Sequence, residues 1–319
     1  PPCAPSTGKR IAIIGGGPSG LSAAFYLQLM GHQTTVFEKK TKLGGMLRYG
    51  IPNYRFPRER LQEDIDCILS TGVEVKYNVS VGRDITIGEL RDHYDAVYIA
   101  IGAHTDKKVG IEGEDGKGVI SAVEMLGRIG DDDMPDFTGK DVVVIGGGNV
   151  AMDCVRSAIR LGAKSASVAY RRRKEDMTAL TEEIDAAVAE GAELRTLMAP
   201  DRIELDENNN CTALWVKPQI IGKIDSFGRA SVRSASTDPV RLKADVIIVA
   251  VGQGVEAQVF QESGVPVKRG TIQALSEATV PDLPGVFAGG DCVTGPATVI
   301  RAIAAGKVAA GNIDEYLGL

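Results

Sequence analysis

Histidine is scarce in this chain: His32, His93 and His104 are the three present in 319 residues. They are scattered, with no Ser/His/Asp constellation around them, so none is assigned a catalytic role. The five cysteines (Cys3, Cys67, Cys154, Cys211 and Cys292) are equally dispersed and form no C-x-x-C pair. That spacing predicts reduced thiols in a cytoplasmic protein rather than a disulfide framework or a zinc site, and no metal ligands are expected. No apolar run approaches the roughly 18 residues that span a bilayer. No signal-peptide pattern is present either. The net charge of -6 gives no support for a nucleic-acid binder. The single Trp, Trp215, alternates with polar neighbours and reads as core rather than site. The chain opens Pro-Pro-Cys-Ala-Pro without Met, which predicts a preceding segment.

Glycine, by contrast, is abundant and concentrated at turns. The apolar run Ile11–Ile14 breaks into Gly15-x-Gly17-x-x-Gly20, followed by an expected helix from Ser19 to Met30 that stops at Gly31. Gly15 suits a tight strand-to-helix turn, Gly17 a close approach to pyrophosphate, and Gly20 tight packing of helix on strand. The helix N-terminus then faces the anion. The pattern recurs: Thr7-Gly-Lys leads into the first copy, and Thr138-Gly-Lys into Val142-Val-Val-Ile-Gly-Gly-Gly-Asn-Val-Ala151. A second feature repeats as well. Asp95-Ala-Val-Tyr-Ile-Ala-Ile-Gly102 and Asp245-Val-Ile-Ile-Val-Ala-Val-Gly252 are both buried-strand patterns that start on an acid and end on small residues. The chain therefore reads as an α/β protein with two dinucleotide-binding, Rossmann-like domains produced by internal duplication.

Between the repeats, Gly110 to Phe137 is polar and reads as a connection. Lys42 to Pro57 is a long, irregular but apolar loop, suited to covering something flat and buried. Arg195 to Lys243 reads as an antiparallel meander. Pro284-Gly-Val-Phe-Ala-Gly-Gly-Asp291 is one more strand closing on an acid, before a last helix over Ala297–Tyr316. This tail is expected to return to the first domain. The expected organisation is a linker over 1–9, a first dinucleotide-binding domain over 10–104 and 253–319, and a second over 105–252 inserted into it.

The two turns differ in the charge that follows them. The strand after the first turn ends at Glu38, roughly 20 residues on, where a carboxylate accepts hydrogen bonds from an adenosine ribose diol. After the second, Ala169 and Tyr170 occupy the acid's place and Arg171-Arg-Arg-Lys174 follows. Guanidinium groups match a 2′-phosphate with bidentate, charge-assisted bonds, which predicts NADPH at the second site. The first site should then hold FAD. Hydride would pass from nicotinamide C4 to flavin N5, chemistry the cofactors carry without a side-chain base.

With both fingerprints, the Gly289-Gly-Asp291 strand and the loop Gly44-Gly-Met-Leu-Arg-Tyr-Gly-Ile-Pro-Asn-Tyr-Arg-Phe-Pro57, the chain resembles the small (beta) subunit of NADPH-dependent glutamate synthase. It also resembles the N-terminal half of dihydropyrimidine dehydrogenase and NADPH:ferredoxin oxidoreductase subunits, across nearly all of 8–319. The resemblance implies the two-domain architecture of the pyridine nucleotide-disulfide oxidoreductase superfamily. It implies FAD contacts from Gly15, Gly17, Pro18, Ser19, Gly20, Glu38, Lys39, Gly45, Met46, Arg55, Val81, Ala100, Gly102, Gly290 and Asp291. Ala297, Thr298 and Val299 would place the last helix's N-terminus against the flavin pyrimidine edge. NADPH contacts would come from Gly147, Gly148, Asn149, Val150, Arg171, Arg172, Ala250 and Gly252. It further implies that electrons leave the flavin singly for iron–sulfur clusters on a preceding domain or a partner subunit, such as a glutamate synthase large subunit or a ferredoxin-like acceptor. In one departure, the family's Met-Pro-Ala after the arginines is Met177-Thr-Ala179 here.

Two other readings compete. A thioredoxin-reductase-like enzyme needs a redox-active C-x-x-C in the NADPH domain, where this chain has Cys154 alone. A flavin-binding redox sensor without turnover shares the fold and is told apart only by reduction with NADPH.

Overall fold

The computed structural model describes residues 2–226 and 228–318. Pro1 and Leu319, the outer ends of the expected linker and FAD domain, lie outside the described residues, as does Phe227. The chain divides into two compact units: one runs to Thr105 and resumes at Gln253, and the other is Asp106–Gly252.

The first unit is built on a five-stranded parallel sheet in the order Val286–Ala288, Ala96–Ile99, Arg10–Ile14, Gln33–Glu38, Glu74–Tyr77. Its central strand is apolar on both faces because both are covered. Ile11 and Ile13 pack with Leu21, Ala24 and Ala310 on one side, and Ala12 and Ile14 with Leu90 and Phe260 on the other. The returning strand pairs parallel to Ala96–Ile99, so the tail completes this sheet; the strand stops at Ala288, three residues short of the acid expected to close it. The last helix, Val299–Tyr316, then packs on the first, Pro18–Leu29. Their approach is close: a Cβ on Gly306 would fall 2.2 Å from the Ser19 carbonyl oxygen. Ser22 Oγ also donates to the Ile303 carbonyl at 2.8 Å. The Pro-rich start is held rather than loose. Ala4 and Thr7 donate to the carbonyls of Leu29 and Gly31. Buried His32 sits 2.8 Å from both Thr7 Oγ1 and Asp314 Oδ1.

The second unit repeats this plan. Its parallel sheet runs Val119–Ser121, Val246–Val249, Asp141–Ile145, Ser165–Tyr170, Glu193–Thr196. The duplication extends to single hydrogen bonds. Asp95 Oδ2 accepts the Arg10 N–H and Asp245 Oδ2 the Asp141 N–H, both at 2.8 Å. The meander is a four-stranded sheet of Met198–Leu205, Cys211–Ile224, Ala230–Ser234 and Val240–Lys243, antiparallel throughout.

Three expectations need correction. The polar stretch 110–137 is more than a connection, since it carries strand Val119–Ser121 and helix Ala122–Gly130. The meander begins at Met198, because Arg195 and Thr196 belong to the edge of the parallel sheet. Trp215 is not core. It is half-buried, donates from Nε1 to Glu204 at 2.8 Å, and lies under the Arg202 guanidinium at 4.5 Å. Among the described residues, no helix is long and apolar enough to cross a membrane.

Candidate functional site: two glycine turns with opposite charges

At the first turn each glycine answers a different constraint. Gly15 has φ +107°, and a Cβ there would lie 2.4 Å from the Ala100 carbonyl oxygen. At Gly20 it would lie 2.0 Å from the Gly15 carbonyl oxygen. Gly17 is different: its Cβ would meet only the Cα of Gly45, at 3.6 Å, so its missing side chain leaves open space rather than relieving a clash. A pyrophosphate needs that space. The helix begins at Pro18, where the absent N–H costs nothing. The Ser19 hydroxyl is committed to the buried Tyr98 hydroxyl at 2.7 Å, leaving the Ser19 backbone as the part that can serve a ligand.

Glu38 is buried, and its carboxylate is fastened to the turn. Oε2 accepts the Gly16 N–H at 2.8 Å and Oε1 the Lys40 N–H at 2.7 Å. A carboxylate has acceptor sites beyond these two. The long loop reaches the same place: Gly44 donates to the Gly16 carbonyl at 2.9 Å, and Gly45, at φ +53°, lies against Gly17. Met46 opens a single helical turn there, Met46–Tyr49, which the irregular composition of the loop hid.

The structure brings other expected residues to this rim. Gly290, at φ +75°, abuts Ser19. Half-buried Asp291 accepts the Ala297 N–H at 3.3 Å, linking the acid to the start of the last helix, where Thr298 is the N-cap and Val299 the first residue. Burial raises the Asp291 pKa and that hydrogen bond opposes the rise. Val81 is buried beyond Val79, whose N–H donates to the Glu38 carbonyl. Gly102, at φ +66°, turns the chain toward His104. Two residues sit less directly. Exposed Lys39 pairs with Glu256 at 3.0 Å, and Arg55 is half-buried within its loop.

The second turn starts at Gly146, a residue the sequence reading passed over. It has φ +148°, and a Cβ would meet the Ala250 carbonyl oxygen at 2.3 Å, which makes it the counterpart of Gly15. Aligning the two glycine triplets from their first members would have found it. Gly147 faces the Tyr170 ring, 2.4 Å from where its Cβ would be, and Gly148 opens to space bordered by Thr178. Helix Asn149–Arg160 follows, with Val150 in its first turn. The Asn149 side chain accepts the Leu180 N–H at 2.8 Å. Gly252, at φ +126°, ends the crossover from Ala250 beside Lys107.

The four basic residues after Tyr170 are not equivalent. Arg173 is ion-paired with Asp176 at 2.8 Å and Lys174 with Asp185 at 3.4 Å. Arg171 is exposed, and Arg172 bonds the Ala230 carbonyl at 3.3 Å; neither has a carboxylate partner among the described residues. The charges left to meet an anion are therefore those two.

All five cysteines are free. Burial raises the thiol pKa of Cys154 well above its ordinary value and pushes that of Cys292 up to about 12. Neither is a poised thiolate.

Known proteins bear on this arrangement. The model of the pyridine nucleotide-disulphide oxidoreductase family matches residues 9–306. The chain is 41% identical over 98% of its length to the beta subunit of an NADP(+)-dependent formate dehydrogenase from Moorella thermoacetica, and spans 44% of that protein. It is 33% identical over 98% of its length to the small chain of Escherichia coli NADPH glutamate synthase, and covers 69% of it. In fold it matches FprA of Mycobacterium tuberculosis with a TM-score of 0.83 at 21% identity, covering 99% of this chain and 85% of that one. The chain thus spans less than half of the first of these relatives. With two Rossmann-like units, a returning strand and a family model that covers nearly its whole length, the chain belongs to the pyridine nucleotide-disulphide oxidoreductase family.

Proposed function

We propose that this chain is an electron-entry module that binds FAD at the turn Gly15–Gly20 and NADPH at the turn Gly146–Ala151. The observation that carries the reading is the contrast beside two otherwise matching turns. A buried carboxylate, Glu38, is pinned to the first, and two guanidinium groups without carboxylate partners among the described residues, Arg171 and Arg172, follow the second. A carboxylate accepts from a free diol and repels a phosphate; guanidinium does the reverse. The bound cofactors would supply the chemistry, hydride transfer from NADPH to the flavin and release of its electrons to an acceptor, while this chain's residues would hold them.

The chain's own residues bind, orient and shield. The open space at Gly17 and Gly148 would admit a pyrophosphate beside the N-terminal ends of Pro18–Leu29 and Asn149–Arg160, where a helix's first N–H groups lack the usual i−4 partner. Asp291, which opens the short helix Asp291–Thr294 just past the returning strand, offers a carboxylate, and Gly44–Met46 cover the first turn. The acceptor belongs to a further domain or a partner subunit, with iron–sulfur clusters the fitting class. Relatives named as subunits of a formate dehydrogenase and of glutamate synthase support that arrangement, glutamate synthase being one of several possible settings. The disulfide-reductase alternative is disfavoured by the buried, solitary Cys154.

The test is the ratio of kcat/KM for NADPH to that for NADH with an artificial acceptor, before and after Arg171→Ala and Arg172→Ala. Each loss should lower the ratio about tenfold or more, as expected for a charge-assisted contact. A wild type that prefers NADH, or a ratio that does not move, would sink the assignment.

A further inference from the structure

The segment after the basic run folds back onto the second turn. The N–H groups of Thr178 and Ala179 both donate to the Gly147 carbonyl, at 3.0 and 3.1 Å. Leu180 donates to the Asn149 side chain at 2.8 Å. These three bonds fix residues 178–180 against the turn from outside. Met177 and Ala179 are buried beneath, whereas Thr178 is exposed. Its hydroxyl has no hydrogen-bond partner among the described residues. It also has a defined neighbour: Thr178 Oγ1 lies 3.4 Å from the position a Cβ on Gly148 would take, the nearest atom to that point. In this motif the space over the second glycine is where the backbone admits a pyrophosphate. A fixed backbone therefore aims a free hydroxyl at the space a phosphate oxygen would fill.

On the reading above that the second turn holds NADPH, we propose that Thr178 is a further ligand-binding residue, its hydroxyl donating a hydrogen bond to the pyrophosphate. A hydroxyl bond to a charged acceptor is short and stronger than a neutral one. It needs no reorganisation here, because the backbone that carries it is already tied to Gly147. The pyrophosphate has the same charge in the oxidised and reduced nucleotide, so the bond strengthens binding of both equally and leaves the chemical step alone.

The experiment is calorimetric titration of the full chain, wild type, Thr178→Val and Thr178→Ser, with NADP+ and with adenosine 2′-monophosphate, which lacks the pyrophosphate. Valine keeps the shape and the N–H to Gly147 but removes the hydroxyl. The expected result is a Kd for NADP+ raised about five- to tenfold in Thr178→Val and restored in Thr178→Ser, with adenosine 2′-monophosphate bound alike by all three. In turnover, KM for NADPH should rise with kcat unchanged. Equal NADP+ affinity in wild type and Thr178→Val overturns the assignment while leaving the second-site reading intact. A parallel loss of adenosine 2′-monophosphate binding overturns it too, since the hydroxyl would then serve the 2′-phosphate. A wild type that binds neither ligand overturns the second-site reading itself.

Discussion

The carboxylate of Glu38 accepts the Gly16 N–H at 2.8 Å, joining the end of the second strand to the middle of the first glycine turn. The acid is thus held in one orientation, and on the proposed reading that orientation is ready for the ribose of FAD. Glu38→Ala removes both the acceptor for a diol and the partner of two buried-side N–H groups, Gly16 and Lys40. Retained FAD, read from the ratio of flavin to protein absorbance after gel filtration, should fall, with Kd rising about tenfold or more. Full retention in the variant would remove Glu38 from the site.

Gly306 and Gly311 lie on the same helix, Val299–Tyr316, and should respond to alanine with opposite signs. A Cβ at Gly306 would strike the Ser19 carbonyl at 2.2 Å, backbone that cannot yield without moving the first helix; at Gly311 nothing lies within 4 Å. Gly306→Ala should destabilise by about 2–4 kcal/mol, as overpacking against backbone does. Gly311→Ala should stabilise by about 0.5–1 kcal/mol through helix propensity. Urea unfolding of both variants decides, and matching signs would contradict this account of how the last helix docks.

His104 gives the first unit a pH dependence. Burial, together with the charges of Lys39 and Lys40 and against that of Glu256, lowers its pKa from the ordinary 6.5 to about 4. Between those values the unfolded chain binds the proton and the folded one does not, so stability rises with pH. The contribution is complete above pH 6.5 and is lost as pH falls toward 4. His104→Gln should flatten the fall in unfolding free energy from urea titrations between pH 7 and pH 5, by at most about 2 kcal/mol. An unchanged slope would place the titration elsewhere.

Much of the architecture was legible because the duplication writes each element twice. Gly15 and Gly146, and Asp95 and Asp245, occupy matching places for the same steric and hydrogen-bonding reasons. What escaped notice was written once or weakly. Strand Val119–Ser121 has three residues, all half-buried, too few for a period to show. The helix after it did carry a start signal, Ser121-Ala-Val-Glu124, and the structure uses it: Ser121 Oγ accepts the Glu124 N–H at 3.0 Å. Trp215 misled because strand alternation marks which residues share a face, not whether that face is covered. At the site, spacing pointed to the four basic residues as a group. Only the ion pairs, Arg173 with nearby Asp176 and Lys174 with Asp185 on the following helix, separate the engaged pair from Arg171 and Arg172.

The central claim is that nicotinamide and flavin meet in turnover on this chain, and anaerobic mixing tests it most directly. Purified with its flavin and mixed with NADPH without oxygen, the protein should lose its oxidised-flavin absorbance within the mixing time, and do so far more slowly with equal NADH. Flavin that stays oxidised with NADPH would contradict the account.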